Sequence, residues 1–324
     1  LEKNHEKTLP HNGGTMTPYI QLLRLDKPVG TLLLLWPCWW GLALSTQDPP
    51  VIGGLYGYGL FALGALLLRS AGCIINDLWD KKIDQQVART KNRPLTNGTV
   101  TIPQALAVLV LLLLAGLLVL VQLPLPSIML GFAVMPLVVL YPLAKRFFPL
   151  PQLVLGLVFA WGALLAPFTN YDPDTMCVTD TVVTCTFHVV PLPLLGQLPS
   201  FTLWLYAACV LWTLGYDTLY ALQDIKDDTR LNLRSSARTF GRWVKPMVVL
   251  CYSGMAVFLV LAYLASGRSG DMAFVGCLSL VLLIISYLVW VVLPLNKDNA
   301  TACGLAFRAN GWLGLALFIM IAVG

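Results

Sequence analysis

Charge is what this chain has least of. Only 11% of its 324 residues are Asp, Glu, Lys or Arg, 57% are hydrophobic and the mean hydropathy is +0.75. Soluble domains carry roughly 25% charged residues, so lipid, not water, is the expected solvent. Strict apolar–polar alternation is also missing, which sets aside a membrane barrel. The three histidines, His5, His11 and His188, lie in polar segments without a partner pattern, and the eight cysteines include no CxxC pair. Zinc and dithiol frameworks therefore lose support. There is no Gly/Lys phosphate loop, no dinucleotide fingerprint and no Ser/His/Asp arrangement, which removes nucleotide and nucleophilic-hydrolase chemistry. No cleaved secretory signal is expected, because the first apolar run begins only at Val29 and no soluble domain follows it.

What is present is a series of apolar runs, each close to the roughly 20 residues needed to cross a bilayer as helix. Nine are read, near 29–45, 51–71, 102–123, 126–142, 150–167, 201–221, 245–265, 272–293 and 302–323. Helices are expected because lipid offers no partners for backbone N–H and C=O groups. The expected fold is an all-α integral membrane protein of about nine transmembrane helices. Residues 1–28 form an inner-side segment, 29–324 a single transmembrane domain, and 168–200 an extended outer loop.

Lys and Arg collect on the cytoplasmic or matrix-equivalent side of membrane proteins. With nine spans, 20 of the 21 Lys and Arg residues fall on one side, and Arg268 alone on the other. This places the N-terminus inside and the C-terminus outside. The net charge of +5 then reflects topology and attraction to anionic headgroups, and no nucleic-acid partner is expected. The outer segment 168–200 holds Cys177 and Cys185, which an oxidising compartment could join; a tolerated loop insertion is the alternative. The other cysteines read as small apolar packing residues.

Two acidic stretches stand out on the inner side. The first holds Asn76, Asp77, Asp80 and Asp84, followed by Arg89 and Arg93; the second holds Asp217, Asp224, Asp227 and Asp228, followed by basic sequence to Arg242. Asp80 and Asp84 are four apart, as are Asp224 and Asp228, so on helices each pair projects from one face. Asn76 and Asp217 extend these stripes by one and two turns. Like charges so placed repel unless a cation sits on them, and acidic residues near lipid are rarely incidental. Hard oxygen donors of this kind suit Mg2+, which is commonly held by one or two carboxylates while a substrate phosphate completes its shell. Facing pairs would hold metal on both sides of a diphosphate, and the interleaved basic residues would bind its remaining oxygens. Asp77 and Asp227 lie off the stripes and read equally well as solvated carboxylates. Within 24–28 (RLDKP) the charges either mark the first membrane interface or supply Arg24 to an anion. Arg69 either joins the site or snorkels to headgroups.

At these residues the sequence resembles the UbiA family of membrane prenyltransferases, whose NDxxDxxxD motif matches Asn76, Asp77, Asp80 and Asp84, and whose DxxxD motif matches Asp224 and Asp228. Within that family it is similar to the 4-hydroxybenzoate polyprenyltransferases of ubiquinone biosynthesis, through 24–37 (RLDKPVGTLLLLWP), 89–94 (RTKNRP), 141–146 (YPLAKR) and 216–221 (YDTLYA). The segment 168–200 is longer than the family usually has. The resemblance implies a helical ring around a central cavity and transfer of a polyprenyl group from polyprenyl diphosphate to 4-hydroxybenzoate, in a bacterial plasma membrane or mitochondrial inner membrane. It implies Asp80, Asp84, Asp224 and Asp228 as catalytic metal ligands with Asn76. Arg89, Arg93, Lys145, Arg146, Arg24 and Asp217 would lie on the substrate side. Acceptors of the menaquinone, tocopherol, chlorophyll or haem o pathways are the alternatives within the family, and a cation transporter the alternative outside it.

Overall fold

The computed structural model describes residues 17–45, 54–170 and 198–323. The expected pairing of Cys177 with Cys185, and most of the outer loop, lie outside the described residues. Among the described residues there is no strand, and nine stretches of helix make up the bundle: α1 (Val29–Leu44), α2 (Gly54–Asp84), α3 (Ile102–Leu120), α4 (Leu125–Phe147), α5 (Pro151–Thr169), α6 (Phe201–Ala221), α7 (Ser236–Ala265), α8 (Gly270–Val292) and α9 (Ala300–Val323). Seven of them, all but α1 and α6, are long and apolar enough to cross a membrane. α1 has 16 residues, about 24 Å of helix. α6 has the length, but Thr202, Thr213, Asp217 and Thr218 make it more polar.

The helix ends depart from the apolar runs where chemistry begins. α2 continues past residue 71 to Asp84, so the first acidic motif is the last part of a 31-residue helix and not a separate stretch. The second motif is not one helix. α6 ends at Ala221, a 3₁₀ turn spans Leu222–Asp224, and a short helix resumes at Ile225–Arg230. Asp224 closes the 3₁₀ turn and takes the N-cap position of the short helix that carries Asp228, so the pair sits at a helix junction and not within one long helix. The tighter 3₁₀ turn changes the angle between successive residues.

Each stretch packs on its neighbour in sequence and α9 returns to α1, closing a ring, with α6 against α7 the most extensive contact. α6 is buried on most sides, through Leu205, Trp212 and Tyr216 on one face and Val210 and Leu214 on the other, as a central helix must be. Two glycines bring helices together at α1. A Cβ on Gly314 would stand 2.1 Å from Cδ1 of Trp36, and one on Gly162 would stand 2.2 Å from Sγ of Cys38. Trp40 Nε1 also donates to the Gly314 carbonyl at 3.1 Å.

A polar knot locks α6 to α9. Asn310 Oδ1 accepts from Trp212 Nε1 at 2.9 Å and from the Tyr252 hydroxyl at 2.6 Å, while its Nδ2 donates to the Tyr287 hydroxyl at 2.8 Å. The buried amide is thus satisfied on both sides, which a polar group in an apolar interior requires.

At one end of the bundle Arg268, in the α7–α8 turn, donates to the carbonyls of Ala43 (3.1 Å) and Ile321 (3.2 Å), near the C-terminal ends of α1 and α9. Cations are favoured there by the helix dipoles. Both acidic motifs lie at the opposite ends of their helices.

Candidate active site

Acidic residues at the C-terminal end of a helix oppose the dipole as well as each other. The first motif sits at such an end, with Asp77, Asp80 and Asp84 only 1%, 1% and 5% exposed. The structure answers with cations from other segments. Arg24 Nη2 donates to both oxygens of Asp77, at 2.9 and 2.8 Å, and Arg93 Nη1 bridges Asp77 Oδ1 (2.9 Å) and Asp84 Oδ2 (2.7 Å). Asp77, which the spacing left between a solvated and a ligating role, is a buried anchor for two arginines. Arg24 holds a left-handed backbone, with φ of 57°, a conformation that persists in a non-glycine residue only where its surroundings over-determine it.

Lys145, in the last turn of α4, pairs with Asp80 through Oδ2. Asp80 Oδ1 is buried and has no hydrogen-bond partner among the described residues. Arg146 donates to the Trp79 carbonyl at 2.9 Å, so it supports the backbone of the motif. Asn76 is half-buried.

The loop after α2 carries Arg89 across to the second motif. Its Nε donates to Asp224 Oδ1 at 2.8 Å, its Nη2 pairs with Oδ2, and its Nη1 donates to the Tyr220 hydroxyl at 2.6 Å. Asp227 faces away and pairs with Arg230 at 3.0 Å. Asp228 has no salt bridge among the described residues. Burial raises its carboxyl to about 6, helped by the charge of Asp224 and opposed by the Ser235 hydroxyl, Lys145 and Arg238. The backbone N–H of Arg234 donates to the Lys145 carbonyl at 2.9 Å, which fastens this segment to the end of α4.

Beside the motifs lies an apolar cavity of about 200 Å³ enclosed by α1, α2, α3, α4 and α5, lined by residues such as Phe61, Leu68, Val119, Met135, Val138 and Phe159. Arg69 is the charged residue in its wall. Arg69 does not snorkel outward. Its Nη1 lies 2.8 Å from Cys73 Sγ, its guanidinium stands 5.7 Å from the Phe159 ring centre, and it forms no salt bridge with a described residue. Tyr141, also in the wall, lies within electrostatic range of Arg69, Asp80 and Asp217, and so joins the cavity to the acidic cluster.

Of the residues singled out in the sequence, the structure pairs Asp80 with Lys145, Asp84 with Arg93 and Asp224 with Arg89. Asp228 and Asp217 lie within electrostatic range of Asp224. Arg24 and Arg146 are engaged with Asp77 and with backbone. Tyr141 and Tyr220 were not picked out as site residues, although both lie in the quoted stretches 141–146 and 216–221.

The pattern of the UbiA prenyltransferase family matches residues 34–323. The mitochondrial 4-hydroxybenzoate polyprenyltransferase of Caenorhabditis elegans is 41% identical, over 94% of this chain and 77% of its own length. The 4-hydroxybenzoate octaprenyltransferase of Neisseria meningitidis serogroup B is 38% identical, over 94% of this chain and 92% of its own. Among solved structures, an apo UbiA homologue from Aeropyrum pernix K1 superposes with a TM-score of 0.64 at 25% identity, over 90% of this chain and 95% of that one. A UbiA homologue from Archaeoglobus fulgidus, solved with GPP and Mg2+, shares the fold with a TM-score of 0.61 at 14% identity, over 94% of this chain and all of that one. With nearly the whole chain matched, and the paired acidic motifs at one end of a helical ring, this protein belongs to the UbiA prenyltransferase family.

Proposed function

We propose that the chain transfers a polyprenyl group from polyprenyl diphosphate to the ring of 4-hydroxybenzoate, ortho to the hydroxyl, in ubiquinone biosynthesis. The observation that carries this is the junction of two unlike environments: an acidic, cation-laced cluster beside an apolar cavity whose wall holds Arg69, which pairs with no carboxylate among the described residues. The curated relatives of the same name support the choice of acceptor.

Mg2+ fits the donor set. Asp80 Oδ1 is a buried oxygen without a partner among the described residues, Asp228 carries no cation among them, and all the candidate donors are hard oxygens. Asp80, Asp84, Asp224 and Asp228 would hold it, with Asn76. When bound, it would neutralise charge on the departing diphosphate.

The chain's own residues supply the rest. Arg89, Arg93 and Lys145 are positioned to share the diphosphate charge as the allylic C–O bond breaks and its electron pair leaves with the diphosphate. The tail lies in the apolar cavity, where each buried methylene contributes about 0.8 kcal/mol. Arg69 receives the acceptor's carboxylate, and its stacking on Phe159 gives the aromatic acid a flat wall. The electron-rich ring carbon then bonds to the allylic carbon and loses its proton. Asp217, facing Arg69 and Asp224, is the carboxylate placed to accept it.

We place the protein in a bacterial plasma membrane or mitochondrial inner membrane, with nine crossings, N-terminus in and C-terminus out, and the site toward cytoplasm or matrix. The Arg268 contacts support the odd-numbered parity of α1, α7 and α9, because they gather the ends of those helices at one face; the inner N-terminus rests on the distribution of Lys and Arg.

Membranes carrying the protein, given labelled polyprenyl diphosphate, Mg2+ and a panel of acceptors, should prenylate 4-hydroxybenzoate with release of diphosphate. Preferential prenylation of a different acceptor would replace the assignment.

A further inference from the structure

The carboxylates that would take Mg2+ are largely occupied by the protein's own cations, and among the described residues no three His, Cys, Asp or Glu side chains gather closely enough to hold an ion. Two kinds of pairing are present. Asp77 is held by two arginines at once, with its side chain 1% exposed and theirs 16% and 17%. Such a two-to-one arrangement keeps Asp77 paired even when Arg93, which also holds Asp84, turns to another anion. Lys145 with Asp80 and Arg89 with Asp224 are one-to-one pairs in which the cation is the more exposed partner, at 25% against 1% and 37% against 17%. Lys145 sits in the last turn of α4 on a flexible stem, and Arg89 in the loop after α2, so either can turn without moving a helix.

A metal ion and an ammonium or guanidinium group compete for the same carboxylate oxygens. Metal arriving alone must expel a cation that then faces no anion. Metal arriving with a diphosphate offers the displaced cation phosphate oxygens, to which charge-assisted hydrogen bonds are at least as good. We infer that Lys145 and Arg89 are exchangeable counter-ions: they hold Asp80 and Asp224 while no metal is bound, and pass to diphosphate oxygens when metal and substrate load together. The inference rests on the diphosphate chemistry proposed above. It makes metal and diphosphate binding mutually reinforcing, a coupling that is reciprocal by necessity, and it keeps metal out of a site that holds no substrate.

The test is Mn2+ binding to the full chain in detergent micelles at pH 8 without any diphosphate, read from loss of the free-ion EPR signal. Lys145→Met should bind Mn2+ at least about tenfold more tightly than the wild type, the change expected from removing one competing charge-assisted bond. Arg89→Met should do the same through the other carboxylate, so either variant decides if the other does not fold. Lys145→Arg, which keeps a cation on Asp80, should remain within about threefold of the wild type. Unchanged or weaker Mn2+ binding in both methionine variants overturns the exchange. Asp80→Asn and Asp224→Asn separate the two levels of the claim: if they weaken Mn2+ binding while the methionine variants change nothing, the exchange fails and the metal site stands. If they too change nothing, the metal assignment falls with it.

Discussion

Asp80 carries its charge almost wholly out of solvent, with one oxygen on Lys145 and the other on no described residue. A buried polar atom left without a partner costs about 1–3 kcal/mol, and a bound cation is the kind of ligand that removes the cost. Asp80→Asn keeps the shape and removes the charge. Prenyl transfer should fall by at least about 10²-fold, the scale seen when a group that stabilises developing charge is removed, while the variant still inserts and elutes as the wild type does. Near-normal turnover in purified protein would remove Asp80 from the machinery. Asp228 makes a separate statement about pH. Its carboxyl titrates near 6, so it is an ionised ligand above that pH and a protonated non-ligand below it. Metal binding must then displace a proton, and the Mg2+ concentration giving half-maximal rate should rise about fivefold from pH 6 to pH 5. A flat Mg2+ requirement over that interval would argue that Asp228 holds no metal. These residues were readable in the sequence because they recur at short spacing. Asp77 was not, since its partners Arg24 and Arg93 lie 53 and 16 residues away and only the folded chain joins them. Arg69 stood out as a lone charge in an apolar run, but whether it turned to cavity or headgroups depended on the neighbouring helices.

At the level of elements, hydropathy located the helices well because burial in lipid rewards length and apolarity directly. It could not show that α2 runs on through its acidic motif, since the polar end is held by cations from three other segments. Nor could it show the 3₁₀ turn at Leu222–Asp224, which is set by the local path of α6 into the basic loop. The seam between α1 and α9 is equally invisible in composition, for it depends on one missing side chain. Gly314→Ala would place a methyl 2.1 Å from Trp36, and Trp36 is hemmed by Trp39 and Phe318, with ring centres 5.5 and 6.2 Å away. Overpacking of this sort costs about 1–3 kcal/mol, so the variant should unfold at lower temperature than the wild type in detergent, followed by tryptophan fluorescence. An unchanged transition would mean that the seam has slack.

For the whole molecule, charge distribution and ring closure agree on which ends of the helices lie together, and the proposed orientation can be checked directly. Single cysteines at Lys91 and Ser269, both exposed, should respond oppositely in a chain whose own eight cysteines are changed to alanine. In intact spheroplasts an impermeant maleimide should label Ser269→Cys, and should reach Lys91→Cys only after permeabilisation. Labelling of both from the same side would break the nine-crossing topology.

The contact of Trp36 and Trp40 with Gly314 also says something about time. At roughly 5–20 residues per second, the ribosome needs on the order of tens of seconds after making the first helix before the glycine that receives it exists. Until then the sides of these two tryptophans that end against α9, in rings finally 4% and 0% exposed, face lipid or an attending insertion factor. The seam between α1 and α9 is therefore among the last parts of the protein to be finished, although its α1 half is made long before.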